Sequence, residues 1–303
     1  MQTFYSHGKL LLTAEYVVLD GAKAFALPTK FGQILTVEFI NEPKISWKSI
    51  DNKGNIWFSD EFTLSNKEIT SSQIANNISK RLIEILLTAK ALNPEFLTKE
   101  KGYKVTSTLE FPNNWGLGSS STLLNNIAQW ANINVFELSN KTFGGSGYDV
   151  ACAQNNSPIL YSLDKGKPII KALSFNKIFV DKLFFVHLNR KQDSREAIKT
   201  YQSNKHNIET IITKVNTITN KIIKANTIDD FEILIANHET LIGTITKQIP
   251  IKQRLFSDYK NQIKSLGGWN GDFVLVTGTK EYVTHYFKQK GYNTILSFKD
   301  MIL

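Results

Sequence analysis

A loop of small residues is the part of this sequence with the clearest chemical meaning. It runs Pro112–Ser121 and contains Gly116, Gly118 and three consecutive serines. Glycine has no Cβ, so such a loop lets backbone N–H groups approach an anion closely. A helix-like run, Ser119–Ile133, follows the loop, and the positive end of a helix favours negative charge. The loop therefore predicts a phosphate site and nucleotide chemistry.

The loop matches neither of two familiar phosphate motifs. A Walker A motif ends in Gly-Lys-Ser/Thr, which is absent here, and the dinucleotide fingerprint needs a third glycine. The structural alternative is a helix whose amino terminus is capped by serine after a tight turn. Taken alone, the loop leaves both interpretations open.

Two further segments contain residues that could take part in phosphoryl transfer. Lys9 begins an apolar run and Glu15 follows it, while Asp149 comes after the glycine-rich stretch 144–147. Their structural alternatives are an edge-strand lysine, a turn carboxylate and a helix N-cap. Phosphoryl transfer depends on charge neutralisation and alignment, which an ammonium and a carboxylate can supply.

Size and composition indicate a globular chain of two modest domains. The chain has 303 residues, 42% of them hydrophobic, and a net charge of +9. Its single cysteine, Cys152, excludes an internal disulfide, and no secretory signal is visible, so we expect a cytoplasmic protein. The five histidines are scattered and match no zinc spacing. The positive charge fits a solvated surface, an anionic small substrate or, least well, nucleic acid.

The pattern of apolar residues predicts an α+β fold. Short strands such as Lys44–Ile50 dominate the first half. Beyond residue 180, strands such as Phe273–Thr277 alternate with helices such as Lys280–Gln289. One of these helices is expected at about Gln253–Leu266, ending at a glycine pair. We place the domains at 1–176, which would bind the nucleotide, and 177–303.

Together these motifs resemble the GHMP small-molecule kinases, the family of galactokinase, homoserine kinase, mevalonate kinase and phosphomevalonate kinase. The matching segments are Gly8–Gly21, the loop Pro112–Ser121 and Gly267–Asp272. The stretch Gly147–Ala151 further resembles a subgroup named for the string Gly-Tyr-Asp-Ile-Ala (GYDIA). The resemblance spans essentially the whole chain. It implies a ribosomal-S5-domain-2-like N-terminal domain and a ferredoxin-like α+β C-terminal domain.

The resemblance also implies a catalytic set. Asp149 would act as general base or orienting group on the acceptor, and Lys9 would stabilise charge. ATP is the implied cofactor together with Mg²⁺, which Ser120 and Glu137 would hold. The residues implied for the nucleotide phosphates are Pro112, Gly116, Leu117, Gly118, Ser119, Ser120 and Ser121.

The implied acceptor is a small molecule, and the motifs are most similar to those of phosphomevalonate and mevalonate kinases. The residues implied to contact it are Glu15, Tyr16, Ser146, Gly147, Arg195, Gly267 and Gly268. We expect no nucleic-acid or membrane partner, and a monomer or homodimer. Three alternatives remain: an ATP-dependent decarboxylase of a diphosphorylated acid, a basic RNA-binding protein, and a kinase-like chain without activity, for which Trp269 in the third motif argues.

Overall fold

The computed structural model describes residues 1–65, 68–73, 76–98, 101–190, 194–204, 207–269 and 271–303, leaving aside the side chains of 194–197 and 204. The chain forms two compact units that alternate along the sequence. Unit 1 comprises 1–8, 31–113 and 118–154, and unit 2 comprises 9–30, 114–117 and 155–303. The predicted division at 176/177 is a single cut and stays a prediction.

Unit 1 contains a mixed sheet in the order β5-β4-β3-β6-β2. Neighbouring strands are antiparallel except β3 and β6, which run parallel with Ile45 opposite Tyr103. The strands are β1 (Gln2–Leu11), β2 (Ala24–Ile40), β3 (Lys44–Ile50), β4 (Ile56–Leu64), β5 (Ile69–Ser71) and β6 (Gly102–Leu109). The first residues of β1 and the second half of β2 belong to this unit.

Four helices complete unit 1 and pack with the apolar side chains of the sheet. They are α1 (Asn77–Leu92), α2 (Ser119–Ala131), α3 (Val135–Thr142) and α4 (Tyr148–Gln154). The Asn76 side chain caps α1 by accepting the Ile78 N–H, and Asn134 caps α3 in the same way. The shared core includes Trp47, Leu86 and Ile127, all nearly inaccessible to solvent.

Unit 2 contains an antiparallel sheet in the order β10-β11-β9-β12. All five residues of its central strand β9 are buried, because β9 pairs with β11 on one side and β12 on the other. The strands are β9 (Leu183–His187), β10 (Ile263–Ser265), β11 (Phe273–Thr277) and β12 (Ile295–Ser297). A hairpin of β7 (Ile159–Asp164) and β8 (Lys167–Ala172) pairs with the start of β2.

Unit 2 contains both long and short helices. They are α5 (Ser194–Asn204), α6 (Ile208–Lys224), α7 (Ile228–Thr246), α8 (Ile251–Leu255), α9 (Lys280–Gln289) and α10 (Phe298–Met301). Thr227 caps α7 through the Asp230 N–H. Helix α9 has the predicted bounds.

The helix predicted at Gln253–Leu266 is wrong. The segment contains the short helix α8, an irregular stretch and then strand β10, whose Ile263 lies opposite Val276 of β11. The apolar residues have helical spacing, but pairing with β11 overrides it. Tyr259 secures the irregular stretch by donating its hydroxyl to the Thr277 carbonyl at 2.6 Å.

The predicted α+β class is confirmed by the large mixed sheet and the second, antiparallel sheet. Within the described residues, every helix is too short or too polar to cross a membrane.

Candidate functional site

The glycine loop connects β6 to α2 and enters the helix without a capping side chain. Gly116 and Gly118 have φ angles of +67° and +84°, in the left-handed region that glycine adopts without strain. Gly118 is the N-cap residue of α2, and it offers no side-chain acceptor to the amides of the first turn. A helix start of this kind is suited to an anion, which would supply the missing acceptor.

The serines that begin α2 differ in their exposure. Ser120 is exposed and Ser119 half-buried, whereas Ser121 is buried and donates its hydroxyl to the Gly118 carbonyl at 2.8 Å. The hydroxyl of Ser121 therefore stabilises the turn into α2, and its predicted phosphate contact stays a prediction. Ser120 has the exposure that a phosphate or metal ligand requires.

A buried polar network anchors α2 to the strands of unit 1. Asn126 donates to the Gln33 carbonyl at 2.9 Å and accepts from Ser6 at 2.7 Å, while the Thr122 hydroxyl donates to the Gln33 side chain. Asn125 adds a bond to Ser6 at 2.8 Å. Every bond in this set joins groups shielded from water, so the network holds the start of the helix in one position.

The section of the loop at 114–117 belongs to unit 2, where Lys9 makes two bonds to it. The Lys9 amide donates to the Leu117 carbonyl at 2.9 Å, and its Nζ donates to the Gly116 carbonyl at 3.0 Å. His187 Nε2 lies 3.0 Å from the Asn114 carbonyl oxygen. The structure thus brings the predicted catalytic lysine to the predicted phosphate loop within one unit.

Asp272 also reaches the loop within unit 2. A Cβ placed on Gly116 would lie 2.3 Å from Asp272 Cγ and 2.4 Å from its Oδ2. The carboxylate therefore packs directly against the Gly116 Cα, and only glycine fits there. Asp272 belongs to the third motif, and the sequence pattern alone indicated no role for it.

Asp149 lies in unit 1, in the first turn of α4. Gly147, with a φ of +81°, leads into the helix, and Asp149 Oδ1 accepts the Val150 N–H at 3.0 Å. The side chain is partly exposed, as a group that contacts a substrate must be. Ser146 precedes it and is also partly exposed.

Glu15 is buried in a strained turn of unit 2. Its neighbours Ala14 and Tyr16 have φ angles of +67° and +65°, which are unfavourable for residues with a Cβ. The carboxylate forms an ion pair with Lys264 of β10, whose Nζ also lies 3.0 Å from Glu239 of α7. Tyr16 is buried and stacks on Tyr201 with ring centroids 6.0 Å apart.

Burial of this cluster disfavours the charged forms of Glu15 and His238. Burial raises the pKa of Glu15 to about 7, against the opposing effect of the Lys264 charge. His238 Nε2 accepts the Ala14 N–H at 2.9 Å and lies 3.6 Å from Glu15 Oε2. Burial, reinforced by Lys264, lowers the pKa of His238 well below its ordinary value, so the ring is neutral with its proton on Nδ1.

Trp269 of the third motif is accommodated in the core of unit 2. It is 1% exposed, has a φ of +70°, and lies beneath the Lys264 ammonium, 5.8 Å from the ring centroid. Gly267 precedes it with a φ of +55°. The contacts of Gly267 and Gly268 with substrate stay predictions. Arg195 lies in the first turn of α5, but its side chain is outside the described part of the structure, as is Asn270.

Magnesium takes oxygen ligands and commonly uses one or two protein groups together with substrate phosphates. Ser120 fits that chemistry as an exposed hydroxyl at the start of α2. Glu137 is exposed in the first turn of α3, where its charge also favours the helix terminus. Among the described residues, no three His, Cys, Asp or Glu side chains cluster as a metal site.

Sequence reasoning missed the partners of the motif residues. Lys264 precedes the third glycine motif and Asp272 ends it, while His238 and Glu239 lie on α7. Their proximity to a glycine-rich segment was the available signal for the first two. For the helix pair, no local pattern indicates contact with a turn more than 200 residues away.

No protein-family profile matches the sequence, and no curated protein does. Solved structures do match. The mevalonate kinase of Methanococcus jannaschii aligns with a TM-score of 0.70 and 14% identity, over 97% of this chain and 96% of that one. The chain has the fold of this small-molecule kinase.

Two further kinases align over nearly all of both chains. The Streptococcus pneumoniae phosphomevalonate kinase, solved in complex with phosphomevalonate and AMPPNP, gives a TM-score of 0.71 at 14% identity, covering 96% and 98% of the two chains. The Lactococcus lactis galactokinase, complexed with galactose, gives 0.68 at 15% identity, covering 97% and 92%. These values confirm the GHMP-like architecture, and their similarity means that the fold does not select an acceptor.

Proposed function

We propose that the chain is an ATP-dependent kinase that transfers the γ-phosphoryl group to a small-molecule alcohol or phosphate. The observation that carries the proposal is the start of α2, which is entered through two left-handed glycines and lacks a capping side chain. Backbone amides so arranged are suited to the phosphates of a nucleotide. The similarity of fold to kinases with different acceptors supports the reaction class.

In this proposal the loop residues bind the phosphates and Lys9 stabilises their charge. The Lys9 ammonium already donates to the Gly116 carbonyl at 3.0 Å, so its position relative to the loop is fixed. Ser120 and Glu137 are proposed as ligands of Mg²⁺, which would neutralise charge on the phosphates when bound. Phosphoryl transfer needs this positioning more than covalent chemistry.

Asp149 is proposed to accept the proton of the acceptor hydroxyl, or to orient it. The backbone bond from Val150 to Oδ1 fixes the carboxylate at the start of α4. Gly147 and Ser146, just before it, are proposed to contact the acceptor. Glu15 is proposed to position the turn that follows Lys9, because Lys264 occupies its carboxylate.

The acceptor we propose is phosphomevalonate or mevalonate, with the phosphorylated compound first. The resemblance of Gly144–Ala151 and of the Glu15–Tyr16 pair to the phosphomevalonate kinases supports this choice. Arg195 is proposed to pair with the acceptor phosphate.

A direct test measures ADP release from ATP and Mg²⁺ with mevalonate, phosphomevalonate, homoserine and galactose offered separately. We expect turnover with one of the first two and one ADP per phosphorylated product. Release of CO₂ with phosphate would instead identify a decarboxylase. Absence of ADP release and of nucleotide binding with the whole panel would contradict a kinase.

Substitution of Asp149 tests its proposed role. Asp149→Asn should lower kcat by at least about 100-fold if the carboxylate works as a base. The KM for ATP should change little. Asp51→Asn, in the β3–β4 turn of the same unit, serves as the control and should leave kcat unchanged. A near-normal kcat for Asp149→Asn would remove it from that role.

A further inference from the structure

Unit 1 contains a cavity of about 320 Å³ that is separate from the glycine loop. Strand β6 begins beside the cavity and leads to the loop, whereas α2 begins at the loop and ends beside the cavity. A helix of 13 residues is about 20 Å long, so the two places are well apart. Ligand pockets in proteins start at about 300 Å³, and the cavity therefore has room for a small molecule.

Four aromatic side chains contribute to the lining of the cavity, each in contact with the next. The Phe96 ring lies 4.7 Å from that of Trp130 with the planes at 83°, and Trp130 lies 5.5 Å from Tyr103 at 70°. Phe39 continues the series, 5.7 Å from Tyr103 at 50°. Rings inclined to one another can surround a rounded group, as in aromatic cages, whereas a flat base stacks on a single ring face.

The carbonyl ends of two helices also reach the cavity. Asn93 and Asn132, the C-cap residues of α1 and α2, both line it. The Asn93 side chain donates to the Ala131 carbonyl at 2.7 Å, which ties the two helix ends together. The carbonyl end of a helix carries partial negative charge and favours a cation. Glu95, an exposed carboxylate of the same lining, adds a negative charge.

The chain already places an ammonium on one of these rings. Lys101 Nζ lies 5.4 Å from the centroid of the Phe39 ring, within the range of a cation–π interaction. Phe39 is 57% exposed, so this contact lies at the rim of the cavity, whereas Phe96 and Tyr103 are buried. A second ammonium, that of Lys90, donates to the Leu97 carbonyl at 2.7 Å. A cation that enters the cavity therefore competes with Lys101 at the rim.

We propose that this cavity binds a small methylated ammonium compound, for which choline is the probe. Ring faces attract a cation without hydrogen bonds, which suits a nitrogen that carries methyl groups in place of N–H donors. Glu95 and the two helix ends supply the complementary charge. The cavity is separate from the glycine loop, so this binding is additional to the proposed kinase reaction.

Three compounds of nearly equal shape separate the effect of charge from that of size. They are choline, its neutral analogue 3,3-dimethylbutan-1-ol and the anion 3,3-dimethylbutanoate. Choline should bind the unsubstituted chain about tenfold more tightly than the alcohol, and the anion should bind most weakly. Equal affinities for the three, tightest binding of the anion, or no binding of choline at about 20 mM would overturn the proposal.

Fluorine NMR of the chain labelled with 5-fluorotryptophan measures these affinities and locates the ligand. The chain has five tryptophans, and the Trp130 signal is identified by its loss in Trp130→Phe, which keeps an aromatic ring. Choline should shift the Trp130 signal more than the other four. A largest shift at another tryptophan would place the ligand elsewhere and contradict the assigned site.

Substitutions of exposed lining residues test the site without opening the core of unit 1. Phe39→Leu and Glu95→Gln should each weaken choline binding by about threefold and leave the alcohol unaffected. Lys101→Met removes the competing ammonium and should tighten choline binding by about twofold or more. Trp57→Leu, which removes an exposed ring of the same unit outside the described lining, is the control and should change neither affinity. Choline binding that is unchanged in both Phe39→Leu and Glu95→Gln, or weaker in Lys101→Met, would refute the proposed site.

Discussion

Each compact unit buries a carboxylate, and the two carboxylates are treated in opposite ways. Asp60 of unit 1 accepts hydrogen bonds from the hydroxyls of Ser71, Ser72 and Ser79 and from the Glu61 N–H. Burial acts to raise the pKa of Asp60, but the serine hydrogen bonds outweigh it and hold the pKa below its ordinary value. Here neutral donors satisfy the charge fully.

Glu15 of unit 2 shares a single ammonium with Glu239 and is left incompletely satisfied. Among the described residues, neither Glu15 Oε2 nor His238 Nδ1 has a hydrogen-bond partner. Burial raises the pKa of Glu15 to about 7, and the turn around it is strained at Ala14 and Tyr16. Strain and incomplete pairing of this kind are typical of functional segments, and this one follows Lys9. The hydrogen bonds to Asp60 stabilise unit 1, whereas strain and incomplete pairing around Glu15 reduce the stability of unit 2.

Of the substitutions that test the contrast between Asp60 and Glu15, one at Lys264 should have the largest effect on stability. Lys264→Met leaves Glu15 and Glu239 buried without their ammonium, which should lower the free energy of unfolding by about 3–5 kcal/mol. Urea denaturation at pH 7 measures it. Lys260→Met removes an exposed lysine from the same unit and should cost about 0.5 kcal/mol or less. Equal losses in the two variants would show that the cluster contributes no special interaction.

The pH dependence of Glu15 follows from its raised pKa. The unfolded chain ionises this carboxyl near its ordinary value of 4.5, whereas the native chain retains the proton up to about pH 7. Glu15 therefore contributes stability that is complete below pH 4.5 and lost as the pH rises through 7, by about 3 kcal/mol.

The comparison with Glu15→Gln isolates this contribution. The neutral His238 acts in the opposite direction, because the unfolded chain gains a proton there below about pH 6.5. His238 is common to both chains, so the difference in unfolding free energy between the unsubstituted chain and Glu15→Gln should fall from pH 4.5 to 7. Urea denaturation across that range measures it. A difference that stays constant with pH would contradict the assigned pKa.

Asp60 should show the opposite dependence and a smaller effect. Asp60→Asn replaces an acceptor of four bonds with an amide that must donate as well, at a cost of about 1–3 kcal/mol at pH 7. Because the pKa of Asp60 is lowered, this cost should be present above about pH 4 and shrink as the pH falls further. The control Glu95→Gln changes an exposed carboxylate of the same unit and should cost much less. A cost that grows on acidification would reverse the contrast with Glu15.

Parts of the fold follow directly from local patterns in the sequence. Strands β3 and β11 and helix α9 have the predicted bounds, because alternation defines β3, a continuous apolar run defines β11 and a capping threonine begins α9. The helix predicted at 253–266 was wrong because the structure of this segment depends on pairing with β11, which a local sequence pattern does not reveal. The candidate site likewise has features that local patterns predict and features that they do not.

The glycine positions of the site were predictable, since a left-handed φ restricts the residue locally. The burial of Glu15 was not, because it depends on Lys264, which is 249 residues away. Asp272 is part of the third motif, but its contact with Gly116 was not predictable because it joins two loops that are distant in the sequence. Sequence patterns thus identify the residue types of a site and leave their partners undetermined.

The smallest predicted effect concerns the strain beside Glu15. Ala14 is fully buried with a φ of +67°. A left-handed conformation costs a residue with a Cβ about 1–2 kcal/mol, and glycine costs about 0.5–1 kcal/mol in lost chain entropy. Ala14→Gly should therefore stabilise the chain slightly, by up to about 1 kcal/mol. Urea denaturation can resolve such a gain when the two chains are measured in parallel.

Ala26→Gly provides the matched control, since Ala26 is equally buried but lies in strand β2 without a positive φ. The same chemical change there should destabilise the chain by about 0.5–1 kcal/mol. Opposite signs at the two alanines would locate the strain at the turn. If Ala14→Gly also lowers kcat while raising stability, the strained turn holds Lys9 and Glu15 in their working positions. A gain in stability with unchanged kcat would mean that the strain is incidental to the reaction, and the contrast between Asp60 and Glu15 would then concern folding alone.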